Sequence, residues 1–400
     1  MKKIFIISFV LLIIIISGCT SKKEITIAAL LSLTGDLSSS GLSAQAACEI
    51  AERDINSYLT CIGKPYSFHI EFEDTQTDPI VALRKARLMH SKGIKTIIGV
   101  QSSSELANIM PFADKNRLVV ISTESTAPAL AIEDDFIFRL VPDDTQQAKA
   151  IVQLLEILNY KVIIPFFRND SWGIGLMDGI KQELKNSSIQ LLDGIAFDPL
   201  TKDFQEDLTE LSIILKSTVK THDPEECCVY FLAFEESALI FESLHNYPTC
   251  TSVRWFGSDG TARNEGLRTN EQAAQTAINV QFINPMYSPE KTEKALFLDL
   301  QLTKKYNLTP SSYTSAAYDA CWLAALSHIV TKNGDSEEIA KAFIHTANAY
   351  YGCTGWTVLN KTGDRKDGNY DFWEIENKNG SYEWTSTMTF IGNNHTINTP

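Results

Sequence analysis

Apolar and polar positions along the chain change period repeatedly: short continuous apolar runs, which predict buried strands, alternate with stripes at helical spacing. Ile25 to Leu33, Phe68 to Glu73, Thr96 to Gly99 and Leu118 to Ser122 read as strands. Helices are predicted between them at Leu42 to Ile55, Pro79 to Ser91 and Glu105 to Lys115. After a strand at Phe136 to Leu140 the pattern restarts. It gives helices at Gln146 to Leu158, Gly175 to Leu184, Phe204 to Leu215 and Ser237 to Leu244, and strands at Val162 to Phe167, Gln190 to Ile195, Cys228 to Leu232 and Val253 to Gly257. Beyond Asn279 come one more strand, a loop with Pro285 and Pro289, and helices near Thr292 to Lys305, Thr314 to Val330 and Ser336 to His345. From Gly355 two or three antiparallel strands are expected, split by Thr362-Gly363-Asp364, with polar tails after Asn377. Alternation of strand and helix with short connections predicts an α/β fold with a parallel sheet covered on both faces, and here it runs twice.

The N-terminus breaks this pattern. Lys2 and Lys3 precede an apolar run from Ile4 to Ile16, shorter than the ~20 residues a spanning helix needs, and small residues follow it. Residues 1–18 therefore read as a signal peptide. The stretch Ile16-Ser17-Gly18-Cys19 resembles the lipobox of secreted lipoproteins. That resemblance implies cleavage before Cys19, a lipid anchor on its sulfur, a tether over 19–23 and a place on the outer face of the cytoplasmic membrane. An uncleaved N-terminal anchor is the competing reading, and either puts Thr20 onward outside the cytoplasm.

Composition narrows the function classes. A chain of 400 residues with 44% hydrophobic and 21% charged positions is not disordered or collagen-like. With 35 Lys+Arg against 49 Asp+Glu, the net charge of -14 repels a phosphate backbone, which argues against nucleic acid as a partner. Eight cysteines are too few for a disulfide scaffold in a chain this long, and an odd number remains once Cys19 is an anchor. Cys48 falls on the apolar stripe of its helix and reads as a core thiol. A disulfide is expected between Cys227 or Cys228 and Cys250, which lie at the starts of two adjacent strands.

The sequence contains no CxxC pair, Walker loop, HExxH or GxSxG motif, and its histidines are scattered. The glycines at 173, 175 and 179 are spaced one residue too widely for a dinucleotide fingerprint. No cofactor, metal or catalytic residue is assigned, and binding is favoured over catalysis.

Two α/β lobes in an exported, tethered chain suggest a clamp that closes on a ligand by hinge motion. Particular residues then add a family. Leu33-Thr34-Gly35 with Gly41, Glu73-Asp74-Thr75 with Asp78-Pro79, Ile98-Gly99 with Ser102-Ser103-Ser104, and Val120-Ile121-Ser122 up to Pro128 come in a known order and spacing. Trp172-Gly173-Ile174-Gly175, Phe256-Gly257-Ser258-Asp259-Gly260, Tyr318-Asp319-Ala320 and the Gly355 to Asp364 segment continue it. Over nearly all of the mature chain the sequence resembles type I periplasmic binding proteins, similar to the leucine/isoleucine/valine-binding proteins of ABC importers. The resemblance implies two doubly wound parallel-sheet lobes joined by a multi-strand hinge, with lobe 1 at 24–141 plus 279–368 and lobe 2 at 142–278 plus 369–400. It also implies a monomer that delivers an amino acid to a membrane permease. A sensory module of the same fold is the alternative, and a hydrolase with an unfamiliar site a weaker one.

A free amino acid carries a carboxylate and an ammonium, and a buried site must pair both. Ser103 lies at a strand-to-helix turn, where amide groups and the helix dipole favour an anion, although Ser102 and Glu105 make the same turn a capping box. Thr126, followed by Pro128, is placed similarly, and with Ser125 it completes the expected carboxylate cradle. Asp259 is the expected ammonium partner, and Trp172 and Phe234 the apolar wall. Two departures bear on the ligand. Ser40 stands before Gly41 where relatives carry an aromatic, and Glu124 stands in the carboxylate-binding loop where small residues are usual. Glu124 is expected to point to solvent; turned inward, it would repel a carboxylate unless the ligand side chain were cationic or Glu124 took up a proton.

Overall fold

The computed structural model describes residues 22–398. The signal segment and Cys19 lie outside the described residues. The first sheet contains β1 (Lys23–Leu31), β2 (Tyr66–Asp74), β3 (Thr96–Gly99), β4 (Val119–Ser122) and β5 (Ile137–Arg139). Its order is β2-β1-β3-β4-β5, parallel throughout. Every residue of β3 and β4 is buried, as a sheet covered by helices on both faces requires.

The second sheet begins with β6 (Val162–Arg168), β7 (Gln190–Leu191), β8 (Ile195–Phe197), β9 (Cys227–Leu232), β10 (Arg254–Phe256) and β11 (Ile283–Ser288). A two-strand ladder of β12 (Tyr351–Gly352) and β13 (Gly355–Trp356) follows in the chain. The second sheet then resumes with β14 (Asn369–Lys378), β15 (Ser381–Ile391) and β16 (Thr396–Asn398). Its path is β16-β15-β14-β11-β10-β9-β6-β7, with β8 also on β6. Strands β6 to β11 pair in parallel and β14 to β16 antiparallel, so this sheet is mixed, not parallel alone.

Several expectations change here. Pro285 lies inside β11, at the border with the antiparallel strands, and not in a loop. The residues after Asn377 are not a polar tail: Asn379 and Gly380, both at positive φ, form a tight turn between β14 and β15. Strand β11 hydrogen-bonds into the second sheet, although its numbers fall in the stretch assigned to lobe 1. Two helices the periodicity did not reveal, Glu265–Thr269 and Glu271–Asn279, precede it; each begins at an asparagine cap, Asn264 and Asn270.

The cysteines also differ from expectation. Cys227, Cys228 and Cys250 are free and buried, and the Cys228 and Cys250 thiols face the carbonyls of Val162 and Leu208. Cys250 sits in a helical turn ahead of β10 instead of at the strand start, which separates it from the β9 thiols. Cys48 is a core thiol, fully buried in its helix.

Helix starts are set by capping side chains. Asp78 accepts from the Ile80 and Val81 amides with Pro79 at the first helical position, and Ser102 with Glu105 forms a capping box. In the first sheet the topological switch falls between β1 and β3, and in the second between β6 and β9, so the loops at their C-terminal ends are where a ligand site is expected. Among the described residues no helix is long and apolar enough to cross a membrane.

A buried ion pair ties the end of β5 to the stretch between β13 and β14. Arg139, at the end of β5 and fully buried, donates from Nε and Nη2 to both Asp364 oxygens at 2.5 and 2.7 Å, and from Nη1 to the Ala127 carbonyl at 2.8 Å. Asp364→Ala leaves a buried guanidinium without its anion. We expect it to lower unfolding free energy by about 3–5 kcal/mol, measured by urea denaturation. A loss under 1 kcal/mol would show that water replaces the carboxylate.

Candidate functional site

The C-terminal ends of the two sheets face one another across a cavity of about 200 Å³, lined on the first sheet's side by Asp36, Ser40 at the start of the helix Ser38–Cys61, and Glu124, and on the second's by Glu235, Asp259, Gly260 and Arg263. Tyr313, on the helix Ser312–Val330, completes it.

Glu124 faces this cavity and not solvent, which corrects the expectation. Its Oε2 accepts from Ser40 Oγ at 2.8 Å and Gln101 Nε2 at 2.7 Å, and Gln101 is itself fixed by the Ser32 amide at 2.8 Å. The serine at position 40, where an aromatic was anticipated from the resemblance, is thus the partner that turns Glu124 inward. Burial pushes the Glu124 carboxyl up to about 7; the bonds from Gln101 and Ser40 oppose this, and the Asp259 and Glu105 charges add to it.

Ser103, Ser125 and Thr126 are gathered in one buried corner at the start of the helix Ser103–Asn116. Their hydroxyls are engaged within the protein. Ser103 Oγ lies 3.0 Å from Ser125 Oγ and accepts from the Ala127 amide, while Thr126 Oγ1 donates to Asp144 Oδ2 at 2.9 Å. None of the three lines the cavity.

Asp259 does line it. Its Oδ2 accepts from Tyr313 at 2.7 Å and its Oδ1 from Gln147 Nε2 at 2.8 Å. The same Gln147 amide donates to Asp144 Oδ1 at 2.8 Å, and Gln147 Oε1 accepts from the Asp259 backbone. Two buried carboxylates are therefore joined through one amide group. Burial raises both carboxyls, Asp144 well above the ordinary range with the Asp259 charge adding, and Asp259 against the bonds from Tyr313 and Gln147. Asp144, Gln147, Gln101 and Tyr313 were not singled out from sequence; Asp144, at the start of a helix directly after β5, carried the most legible signal.

Trp172 and Phe234 stack on each other with centroids 4.7 Å apart, buried next to the Asp259 turn rather than on the cavity wall. Any side chain at Gly260 would meet both rings at 2.8 Å, so glycine is what lets the pair close on that turn. Gly173 brings its helix against the Arg168 carbonyl, and Gly175 packs on Ala127 and Pro128 of the facing loop. Gly173 therefore seats the helix on its own sheet, and Gly175 serves the contact between the two sides.

Arg168 lies 4.4 Å over the Phe234 ring, held by Glu236 at 2.5 Å and Asp170 at 3.0 Å. It reaches across to Asp36 at 3.4 Å, which also takes Lys202 at 3.2 Å. The Glu235 amide donates to the Asp36 carbonyl at 3.3 Å, so the two sides are in contact around the cavity. Among the described residues no group of three or more His, Cys, Asp or Glu could hold a metal ion.

Comparison with known proteins follows the same lines. The family described as the receptor family ligand binding region matches residues 43–378. An uncharacterised protein of Methanocaldococcus jannaschii is 30% identical over 393 residues, covering 90% of this chain and 92% of its own. A leucine-binding protein of Thermotoga maritima superposes with a TM-score of 0.73 at 20% identity, covering 90% of this chain and 98% of that one. A branched-chain amino acid transporter substrate-binding protein of Streptococcus pneumoniae, solved with isoleucine, gives 0.73 at 22% identity, covering 91% and 99%. At these identities the structures show the fold, that of type I periplasmic binding proteins.

The Glu124 environment has a signed consequence for stability. A folded Glu124 keeps its proton to about pH 7, whereas an ordinary glutamate loses it near 4.5, so between these values the folded state binds more protons. Its contribution then falls as pH rises through that window and is least favourable above it. We expect Glu124→Gln to gain stability over wild type between pH 5 and pH 8 by on the order of 3 kcal/mol, read from paired urea titrations. Parallel pH profiles for the two proteins would rule out a buried, proton-holding Glu124.

Proposed function

Because this chain belongs to the receptor family ligand binding region, we propose that it captures a small amino-acid-like solute, branched-chain or polar, between its two lobes and delivers it to the permease of an ABC importer. The lobes follow the two sheets, with β11 belonging to the second although its numbers fall in 279–368, the stretch expected in lobe 1, and the lipid on Cys19 tethers them outside the cytoplasm. The observation that carries the reading is the interlobe cavity in which Asp259, a buried carboxylate without an ion-pair partner among the described residues, is held ready by Tyr313 and Gln147.

In this reading the ligand's ammonium pairs with Asp259, and its carboxylate enters the corner of Ser103, Ser125 and Thr126. There it exchanges the Ser103–Ser125 and Thr126–Asp144 bonds for bonds to itself, beside the free first-turn amides of the helix. A protonated Glu124 donates to that carboxylate instead of repelling it. Trp172 and Phe234 back the Asp259 turn and keep it dry. The ligand touches both lobes and so binds the closed state better than the open one, which is the whole of the mechanism. Sensing is the second reading, favoured by the receptor description of the family. ATP hydrolysis by a partner importer that rises on addition of the liganded protein decides for transport.

The purified protein, stripped by unfolding and refolding, should be stabilised by one amino-acid class in a thermal-shift panel of amino acids, amides, small peptides and sugars. A ligand at a hundred times its Kd adds about 2.7 kcal/mol, a shift of several degrees. Stabilisation by uncharged solutes alone would leave the fold but remove the paired-charge site. Asp259→Asn, which keeps the shape of the turn, should weaken the best amino acid at least tenfold, about 1.4 kcal/mol, by calorimetry. Equal affinity in a folded variant takes Asp259 out of the site.

A further inference from the structure

Resting on the amino-acid reading of the cleft, we propose that Arg263 is a specificity residue that holds an anionic group on the ligand's side chain, making the ligand an acidic amino acid or a close analogue. Arg263 lines the interlobe cavity and also a second cavity of about 340 Å³, whose wall includes the Trp373 ring under its guanidinium, so its side chain borders both. Its backbone is left-handed, at φ 60°, a conformation uncommon for a residue with a side chain and frequent at ligand sites.

The guanidinium has little to satisfy it within the protein. It lies 4.7 Å over the Trp373 ring, and its buried Nε has no hydrogen-bond partner. Two of the acids around it have other partners. Glu265 pairs with Arg268 at 2.6 Å; Asp371 accepts from Ser288 at 2.8 Å and Thr389 at 2.6 Å. Among the described residues Glu235 has only the Asn264 amide at 3.5 Å, and Asp299, on the second cavity, acts on Arg263 through its charge without closing an ion pair to it. Burial holds the Arg263 guanidinium below its ordinary range, and the charges of Asp299, Glu265 and Asp371 only partly oppose this.

Charge then fixes the ligand. Of the other ionisable groups on the interlobe cavity, Asp36 is taken by Arg168 and Lys202, Glu265 by Arg268, Glu235 has only the Asn264 amide among the described residues, and Glu124 sits where burial favours its neutral form. Asp259 supplies the anion for an ammonium and Arg263 the cation for a carboxylate, while the serine corner receives the second carboxylate. A ligand with one ammonium and two acid groups matches all three. A branched-chain side chain would leave the partly buried Arg263 without a ligand anion.

Calorimetry at pH 7 with L-glutamate, L-2-aminoadipate, L-glutamine and L-leucine tests this on the stripped, refolded protein. Wild type should bind one of the two acidic probes at least tenfold more tightly than either neutral one. Arg263→Gln should erase that preference while changing neutral-probe affinity less than threefold, and Arg263→Lys should retain part of it. Equal or tighter binding of a neutral probe to wild type overturns the inference and leaves the solute-binding reading standing. So does an acidic preference that survives in Arg263→Gln. Absence of binding by every amino acid overturns both readings. The wild-type comparison decides even if the glutamine variant does not fold.

Discussion

Carboxylates buried between two sheets, with no cation beside them, are the constraint around which this molecule is arranged. Glu105, Glu124, Asp144 and Asp259 all lie at or near the facing strand ends, and burial raises every one of them. An ionised carboxylate in such a place is costly unless it is hydrogen-bonded, and each of these is. Ser102 serves Glu105, Ser40 and Gln101 serve Glu124, and Gln147 serves both aspartates. Neutral donors satisfy lone pairs without cancelling charge. The protein thus keeps the site soluble in its own interior while leaving its charge to be met by something else, and this is the physical meaning of a binding site as distinct from a structural ion pair.

Arg139 and Asp364 show the contrast. There the guanidinium meets its carboxylate directly, with a third bond to the Ala127 carbonyl in the loop that carries Glu124, Ser125 and Thr126. That loop is held from below by a closed ion pair while its upper face stays uncompensated. Rigid support beneath and open charge above is what preorganises a site on a loop.

Much of the frame was legible because parallel strands are nearly continuous apolar runs and the helices begin at readable caps. Pro79 to Ser91 and Thr96 to Gly99 match the observed elements end to end. Turn chemistry was also present where it was not used: Asn379-Gly380 is a hairpin signal, and reading a polar tail there lost two strands. The site was legible only in part. Asp259, Ser103 and Thr126 stand beside strand ends, where local pattern points. Gln147 and Tyr313 matter because folding brings them to Asp259 from 112 and 54 residues away, and no local pattern carries that. The direction of Glu124 was set in the same way by Ser40, 84 residues away. Cysteine spacing misled because adjacency of strands does not place two thiols together when one sits in a turn.

The balance of contacts around the cavity limits how closure can work. The bridges from Asp36 to Arg168 and Lys202 cross between the lobes at 3.4 and 3.2 Å, and Lys202 is largely exposed. Pairs of this kind contribute about 0–1 kcal/mol and weaken with salt. Moving a clamp from mostly open to mostly closed takes a differential near 5.5 kcal/mol. The surface bridges therefore fall short by themselves, and the buried interaction has to supply the remainder. Asp259 and Arg263 are charged groups on the cavity wall that no ion pair among the described residues satisfies, and charge-assisted bonds to desolvated groups are the stronger class. Closure that depends on them is closure that depends on the ligand, which is what either a transporter or a sensor needs from its binding lobe.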